Sequence, residues 1–400
     1  MMHDQLLRQS AQLLETSGVG IPIEGRSILN RTGLLHFCTL TTSIIFLTLS
    51  LAMSASAQGS FSTGDSELEK WIVEPKLRFD EWLDDQRPSL EIAFDLSMRI
   101  VEKSGGSGTG HVNWVGIDLI DRLHWDGFPI ATILVQAYAV EVRDLPATPI
   151  IFDDSRDWQL QWRFVYLDFD RWSHKGISWK VGHFQVPFGL EWTSDTTGTL
   201  RQYTNAKNLG VKADWGMSAH GTVDGLDYEV SVTRGSGNEY RDVSDNHVFA
   251  MRIGASPGHN LSYGVSYFDA QLTGQDAPVG MSTFPKPDRV RYGVDARWNF
   301  PSFQLLGECS RGTNDDLDVW SALLEANIHS PDERNLAYLQ TVGSATKGVS
   351  DWDERVQAHL GVKRLIGPSL SLEAQWTHDL ELPGNALLGD TGVLQIRYRF

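Results

Sequence analysis

Long apolar runs and cysteines are both scarce in this sequence of 400 residues, and each scarcity excludes a class of protein. Beyond residue 57, the longest apolar stretch covers residues 130–142 and is interrupted by polar side chains, so no segment there crosses a membrane as a helix. Of the two cysteines, Cys38 lies in the targeting segment described below and leaves Cys309 alone. A disulfide or a cysteine-based metal cluster is therefore excluded in the mature chain.

Positive charge is also in deficit, because the formal net charge is -17. A surface this acidic disfavours nucleic acid as a partner. The histidines show no metal-ligand spacing, and no G-x-S-x-G nucleophile motif is present. We therefore expect no nucleic-acid partner, no metal, no cofactor and no enzymatic activity.

The N-terminal region has the three parts of a secretory signal peptide. Arg26 and Arg31 precede an apolar run at residues 34–52, and the small residues Ala55 and Ala57 follow it in A-x-A spacing. We expect residues 1–57 to form a leader and signal peptide that is cleaved near Ala57. A membrane anchor is the alternative, because the run approaches the length that spans a bilayer.

Aromatic residues are abundant in a chain of modest hydropathy. The sequence has 14 Trp at a mean hydropathy of -0.25. A membrane β-barrel has this composition, because its strands alternate between lipid and water and its rims carry aromatic girdles. We expect a periplasmic N-terminal extension at residues 58–88 and a transmembrane β-barrel porin domain at residues 89–400.

Alternation with a period of two dominates the chain from residue 90 onward. Each segment has an apolar face and a polar face, as at residues 158–166, 209–220, 226–233, 290–299, 356–363 and 370–377. Alternation places Trp158, Leu160, Trp162, Phe164 and Tyr166 together on one apolar face. The segments are about 9 to 12 residues long, which suits a tilted membrane strand better than a soluble sandwich.

The fold class predicted is all-β, a transmembrane antiparallel β-barrel of about 16 strands. Fourteen or eighteen strands remain possible, because the second, third and thirteenth segments are weak. The strands are expected to begin near residues 90, 112, 131, 158, 176, 208, 225, 246, 260, 288, 303, 317, 335, 355, 369 and 391. The last of these ends on Phe400, which is typical of the signal that barrel-assembly machinery binds in the outer membrane.

One segment resembles a known family. Residues 180–192 read KVGHFQVPFGLEW, and the match is carried by Gly182, Phe184, Pro187, Phe188, Gly189 and Glu191. This resembles the "G-x-F-x-x-P-F-G-x-E" segment of the phosphate-selective porin O and P family. The resemblance implies a trimeric channel of sixteen strands for small anions. Pro187, Phe188, Gly189 and Glu191 are interpreted as the hinge of a constriction loop, with a solute site as the alternative.

Alternation also assigns basic side chains to the lumen. The candidates are Arg163, Lys180, Lys212, Arg252, Arg291, Arg297, Lys363, Arg397 and Arg399. Arginine and lysine on a pore wall supply the hydrogen-bond donors that a dehydrating anion needs. The alternative is that these residues pair with acids across strands and hold the wall together.

The function predicted is an outer-membrane porin for passive diffusion of small hydrophilic solutes, with anions such as phosphate expected. Its expected partners are outer-membrane lipid, the solutes, two further copies in a homotrimer, and the assembly machinery. An infolded loop near residues 187–199 is expected to sieve the solutes. A structural or adhesive barrel and an outer-membrane hydrolase are the alternatives.

Overall fold

The computed structural model describes residues 89–400 except residues 105–108, 144–157, 170–175, 239–245, 257–259, 273–286, 349–351 and 384–387. The predicted signal peptide, its cleavage near Ala57 and the predicted extension at residues 58–88 lie outside the described residues. The described helices α1 (Gly189–Trp192) and α2 (Asn205–Leu209) are short. None of the described helices is long and apolar enough to cross a membrane.

Sixteen antiparallel strands close into one barrel, which confirms the predicted fold class and strand number. Each strand pairs with the next along the chain, and β1 pairs with β16 to close the circle. The strands are β1 (Leu90–Lys103), β2 (Thr109–Trp125), β3 (Phe128–Arg143), β4 (Gln159–Phe169), β5 (Ser178–Gln185), β6 (Ala213–Val223), β7 (Leu226–Thr233), β8 (His247–Ala255), β9 (Leu261–Gln271), β10 (Asp288–Asn299), β11 (Phe303–Asn314), β12 (Leu317–His329), β13 (Asn335–Lys347), β14 (Trp352–Ile366), β15 (Leu370–Glu381) and β16 (Asp390–Arg399).

The two ends of the barrel differ in their connections. We call the end that holds Phe400 the terminal rim and the opposite end the loop rim. At the terminal rim, Asp126-Gly127 and Asp224-Gly225 form two-residue hairpin turns in which all four residues have positive φ. Asp-Gly suits this conformation, because the glycine has no Cβ and the aspartate tolerates the left-handed region. At the loop rim, the connection of residues 186–212 is far longer.

Apolar side chains cover the outer face of the barrel. On β9, Tyr263 and Val265 point outward and are about half exposed, whereas Ser262 and Ser266 are buried inside. This is the alternation that a strand between lipid and an aqueous interior requires. The burial pattern therefore follows the predicted period of two on this strand.

Exposed aromatic side chains gather at the terminal rim. Trp125 and Phe128 flank the turn that joins β2 to β3, and both are largely exposed. Trp298 lies near the end of β10 and Phe300 just after it, with their ring centroids 4.8 Å apart. Such a belt matches the aromatic girdle of a membrane barrel, whose rings lie at the level of the lipid headgroups.

The prediction that the five alternating apolar residues from Trp158 to Tyr166 share one face is wrong for Phe164 and Tyr166. Trp162 pairs with Ala137 and Phe164 pairs with Gln136, so the intervening residue has no partner on β3. This bulge places two successive residues against one and reverses the parity of the faces beyond it. Leu160 is exposed on the outside, whereas the ring of Tyr166 lies inside the barrel.

The strand predicted to begin near residue 208 begins instead at Ala213. Leu209 ends helix α2 and Val211 follows it, and both are buried inside the barrel. Their alternation arises from packing against the inner face of β8 and β9, where Val248 and Phe268 are also fully buried. An apolar pattern set by a small internal core was therefore mistaken for a lipid-facing strand.

Two tyrosines on the inner face cover glycines of neighbouring strands. A Cβ on Gly361 would lie 2.1 Å from Cζ of Tyr338, and the Tyr338 hydroxyl lies 3.1 Å from Oε1 of Gln375. Tyr138 covers Gly116 in the same manner. The absent side chain leaves room for a ring that lies flat across the strand.

We expect Gly361→Ala to destabilise the barrel by about 1–3 kcal/mol, because the added methyl group must displace the Tyr338 ring. Gly307→Ala is the matched control, since the nearest atom to a Cβ there is 3.6 Å away. Urea unfolding of the two variants in lipid vesicles measures the difference. Equal midpoints for both variants would show that the ring does not depend on the glycine.

Candidate functional site

Residues 186–212, which we call the lumen loop, leave β5 and fold into the barrel. The predicted hinge residues lie at its start. Gly189 has a φ of 61°, which favours glycine, and the Phe188 ring packs edge-on against Phe268 with centroids 6.4 Å apart. Pro187 precedes them, and Glu191 forms an ion pair with Lys212 in which the nitrogen and oxygen lie 2.5 Å apart. The first and last parts of the loop are thus joined to each other.

A small apolar core holds the base of the lumen loop against the wall. The loop contributes Val186, Phe188, Leu209 and Val211, and strands β8 and β9 contribute the inner residues that face them. All four loop residues are almost completely buried. Burial of this much apolar surface stabilises the inward position of the loop.

The carboxylate of Glu308 clips the two arms of the lumen loop together. Its Oε2 accepts the backbone N–H of Leu190 at 2.7 Å, and its Oε1 accepts the hydroxyl of Thr204. The Asn205 amide donates to the carbonyl of Phe188 at 3.0 Å, and Ser266 accepts the N–H of Gly189 at 3.1 Å. Hydrogen bonds in a buried site of low polarity are stronger than the same bonds in water, so these contacts hold the two arms in place.

The far end of the lumen loop reaches the opposite wall. Thr197 accepts a bond from Arg397 at 2.8 Å, and Thr199 accepts one from Arg99 at 3.2 Å. Among the described residues, hydrogen bonds join the loop to strands on all sides of the barrel, namely β1, β4, β7, β9, β10, β11, β12, β13, β15 and β16. The loop therefore crosses the bore and narrows it, rather than following one side.

The structure places all nine predicted basic residues inside the barrel or at the loop, and most of them pair with acids. Six form ion pairs: Arg163–Asp195, Lys180–Glu229, Lys212–Glu191, Arg252–Asp295, Arg397–Asp95 and Arg399–Asp118. Lys212 belongs to the lumen loop and not to a strand. These pairs match the alternative in which the charges hold the wall together.

The other three basic residues have different surroundings. Arg297 donates to the hydroxyl of Ser194 at 2.6 Å, and Arg291 bonds the side chain of Asn208 at 2.9 Å. Lys363 lies opposite Glu373 on the neighbouring strand. Arg291 and Arg297 therefore hold the lumen loop through uncharged groups.

Sequence reasoning missed several residues that position the loop. Arg201 pairs with Glu325 at 3.0 Å, and Gln340 bonds the carbonyl of Gln202 at 2.8 Å. Burial tends to lower the pKa of Arg201, but the neighbouring Tyr203 and Glu325 raise it above its ordinary value. Arg201 therefore keeps its positive charge. No pattern in the sequence marks Arg201, because the lumen loop lacks the period-two alternation of a strand.

Comparison with known proteins identifies the fold. No protein-family model matches the chain, and no curated protein matches it. Among solved structures it is similar to OprB of Pseudomonas putida, with a TM-score of 0.62 and 10% identity over 80% of this chain and 96% of that one. The chain has the fold of the outer-membrane porins.

Two further structures with the porin fold are similar. OmpF of Salmonella typhi has a TM-score of 0.59 and 12% identity over 78% of this chain and 97% of that one. An anion-selective porin from Comamonas acidovorans has a TM-score of 0.55 and 12% identity over 78% of this chain and 99% of that one. At sequence identities this low, the similarity indicates a shared fold and gives no information about the solute.

Proposed function

We propose that the chain is an outer-membrane porin through which small hydrophilic solutes diffuse passively. The observation that carries the proposal is a closed barrel with an apolar outer face, an inner face rich in charge and a loop across the bore. A soluble protein would have to cover the outward leucines, valines and tryptophans, whereas lipid covers them without further structure. No chemical reaction is assigned to the chain in this proposal.

The proposed mechanism is sieving by the lumen loop together with weak steering by charge. Conduction requires binding that is weak enough for release. Most of the predicted basic side chains form ion pairs with carboxylates, as at Arg163, Lys180 and Lys212, where nitrogen and oxygen lie 2.5 to 3.2 Å apart. Paired charges attract a passing ion less than free ones do. The proposal therefore includes a preference for anions such as phosphate that is modest in size.

The finer expectations from sequence remain part of the proposal. They are membership of the phosphate-selective porin O and P family, a homotrimer in outer-membrane lipid, and recognition by the assembly machinery through Phe400. Phe400 itself bonds to Phe94 through both its N–H and its carbonyl, so the first and last strands meet at the terminal rim. Export by a signal peptide cleaved near Ala57 completes the proposal.

Ion conductance in planar lipid bilayers tests the channel. We expect discrete conductance steps and, in a salt gradient, a reversal potential of the sign that anion preference gives. Arg297→Gln should shift that potential toward cations, because it removes a charge beside Ser194 in the narrow section. Arg311→Gln, on the outer face and 78% exposed, is the matched control and should leave the potential unchanged.

The conductance experiment tests the channel and the anion preference separately. Folded protein without conductance steps would contradict the channel. Steps with a preference for cations would contradict the anion preference alone.

A further inference from the structure

One row of inward side chains crosses four neighbouring strands at a single level of the barrel. The strand register pairs Lys363 of β14 with Glu373 of β15. It then pairs Glu373 with Gln395 of β16, and Gln395 with Arg99 of β1. Residues that pair across antiparallel strands share a face, and this face is the lumen, because Glu373 and Gln395 are buried whereas Leu372 is exposed outside. We call these four residues the charged row.

Three members of the charged row hold the tip of the lumen loop. Their partners are backbone groups of residues 198–200. Glu373 accepts an N–H at 3.1 Å, Gln395 donates to a carbonyl at 2.6 Å, and Arg99 donates to a carbonyl at 3.2 Å. The charged row therefore lies at the level where the loop reaches this wall, and an ion that passes the loop tip passes the row.

Lys363 is the fourth member of the row, and it holds neither the loop nor the wall. Its side chain is partly exposed, and its ammonium forms no hydrogen bond and no ion pair within the described part of the chain. The other predicted basic residues each bond a carboxylate or the lumen loop. Among the nine candidates, Lys363 is thus the one whose donors are left for a solute.

The acid opposite Lys363 is engaged elsewhere. Glu373 is 3% exposed, and its Oε1 accepts the Tyr338 hydroxyl at 3.3 Å in addition to the N–H of the loop. These bonds turn the carboxylate toward the loop and away from an ion pair with Lys363. A passing ion therefore meets the partly exposed ammonium, whereas the carboxylate is covered.

The cations of the charged row outnumber its acids. Lys363 and Arg99 are positive and Glu373 is negative, while Arg99 bonds only uncharged oxygens of Gln395 and the loop. The ion pairs whose charges reach Lys363 each add one charge of either sign, and they are Arg397–Asp95, Arg201–Glu325 and Arg163–Asp195. The row therefore presents a net positive charge to the bore at the level of the loop tip.

We propose that the unpaired ammonium of Lys363 gives the channel its preference for anions. It donates to a small hydrated anion such as chloride or phosphate beside the loop tip. A single ammonium in contact with water binds an anion weakly, so release is fast. This inference rests on the proposed function and names the residue on which its anion preference depends.

Reversal potentials in planar bilayers under a potassium chloride gradient test the role of Lys363. Near 0.1 M salt the screening length is about 10 Å, so the charge acts on ions beside the loop tip. We expect Lys363→Gln to lower the ratio of chloride to potassium permeability about threefold. Lys363→Arg keeps the charge and should leave the ratio unchanged.

Lys103→Gln is the matched control, because it removes the same charge from another level of the lumen. Lys103 lies on the inner face of β1, four residues nearer the loop rim than Arg99, and is also partly exposed. A strand rises about 3.3 Å per residue, which places Lys103 about 13 Å from the charged row. The permeability ratio of this variant should equal that of the wild type.

The outcomes separate the role of Lys363 from the channel itself. Conductance steps with an unchanged permeability ratio in Lys363→Gln, or an equal fall in Lys363→Arg or Lys103→Gln, would overturn the role of Lys363 and leave the channel standing. Folded wild-type protein without steps would overturn the channel.

Acetylation of the wild-type barrel by an amine-reactive ester, followed by mass spectrometry, tests the free ammonium without any variant. We expect Lys363 to react faster than Lys180, whose nitrogen lies 3.1 Å from Glu229. Equal or slower reaction of Lys363 would overturn the inference.

Discussion

Excision of residues 194–203 and their replacement by a short Gly-Ser bridge should raise the conductance of a single channel by at least about twofold. These residues cross the bore, and their contacts with Arg99 and Arg397 on the far wall disappear with them. The excision is feasible because Leu190 and Thr204 both bind the carboxylate of Glu308. The two ends to be joined therefore already lie beside one another.

Conductance steps in planar bilayers measure the effect, with circular dichroism and gel mobility of the folded form as the control for integrity. A folded variant with unchanged conductance would show that the lumen loop does not set the narrowest section.

Asp295→Asn should destabilise the barrel by about 3–5 kcal/mol, because it leaves the Arg252 charge buried and unpaired. The two side chains are 2% and 1% exposed and lie 2.6 Å apart. The guanidinium of Arg252 also lies 5.0 Å from the ring of Trp192 in the lumen loop. The free energy of unfolding in lipid vesicles, measured by urea titration, gives the effect.

The same substitution at an exposed pair supplies the control. Asp318 lies 4.0 Å from Arg311 and 3.8 Å from Lys347; the two basic side chains are well exposed and Asp318 is partly exposed. Surface pairs of this kind contribute about 0 to 1 kcal/mol, so Asp318→Asn should change stability little. Similar losses for both variants would contradict the role assigned to burial.

The barrel was predictable because alternation is a local signal that each strand repeats. A strand such as β9 shows its two faces directly in Tyr263, Val265 and the serines beside them. Strands β2 and β3 looked weak in sequence, yet they are 17 and 16 residues long. Hydrogen bonds to a neighbouring strand on both sides stabilise β2 and β3 although their own alternation is weak, because a closed barrel leaves no strand edge unpaired.

The candidate site was harder to predict, because it depends on contacts between distant parts of the chain. The one-residue bulge near Arg163 leaves an unbroken apolar alternation in the sequence, but it exchanges the two faces in space. Alternation located the basic residues inside without showing which acid each one meets. The partner of Arg397 is Asp95, on a strand about 300 positions earlier. Spacing within a strand carries no information about such pairs.

The clip at Glu308 has a consequence for the order of assembly. The carboxylate belongs to β11, which follows Leu190 by 118 positions along the chain, and the far contacts of the lumen loop belong to β16. While only the first strands of the barrel have paired, neither Glu308 nor Arg397 is in place to bond the lumen loop. The full set of contacts that holds the loop across the bore therefore requires β1, β11 and β16 to be in place together.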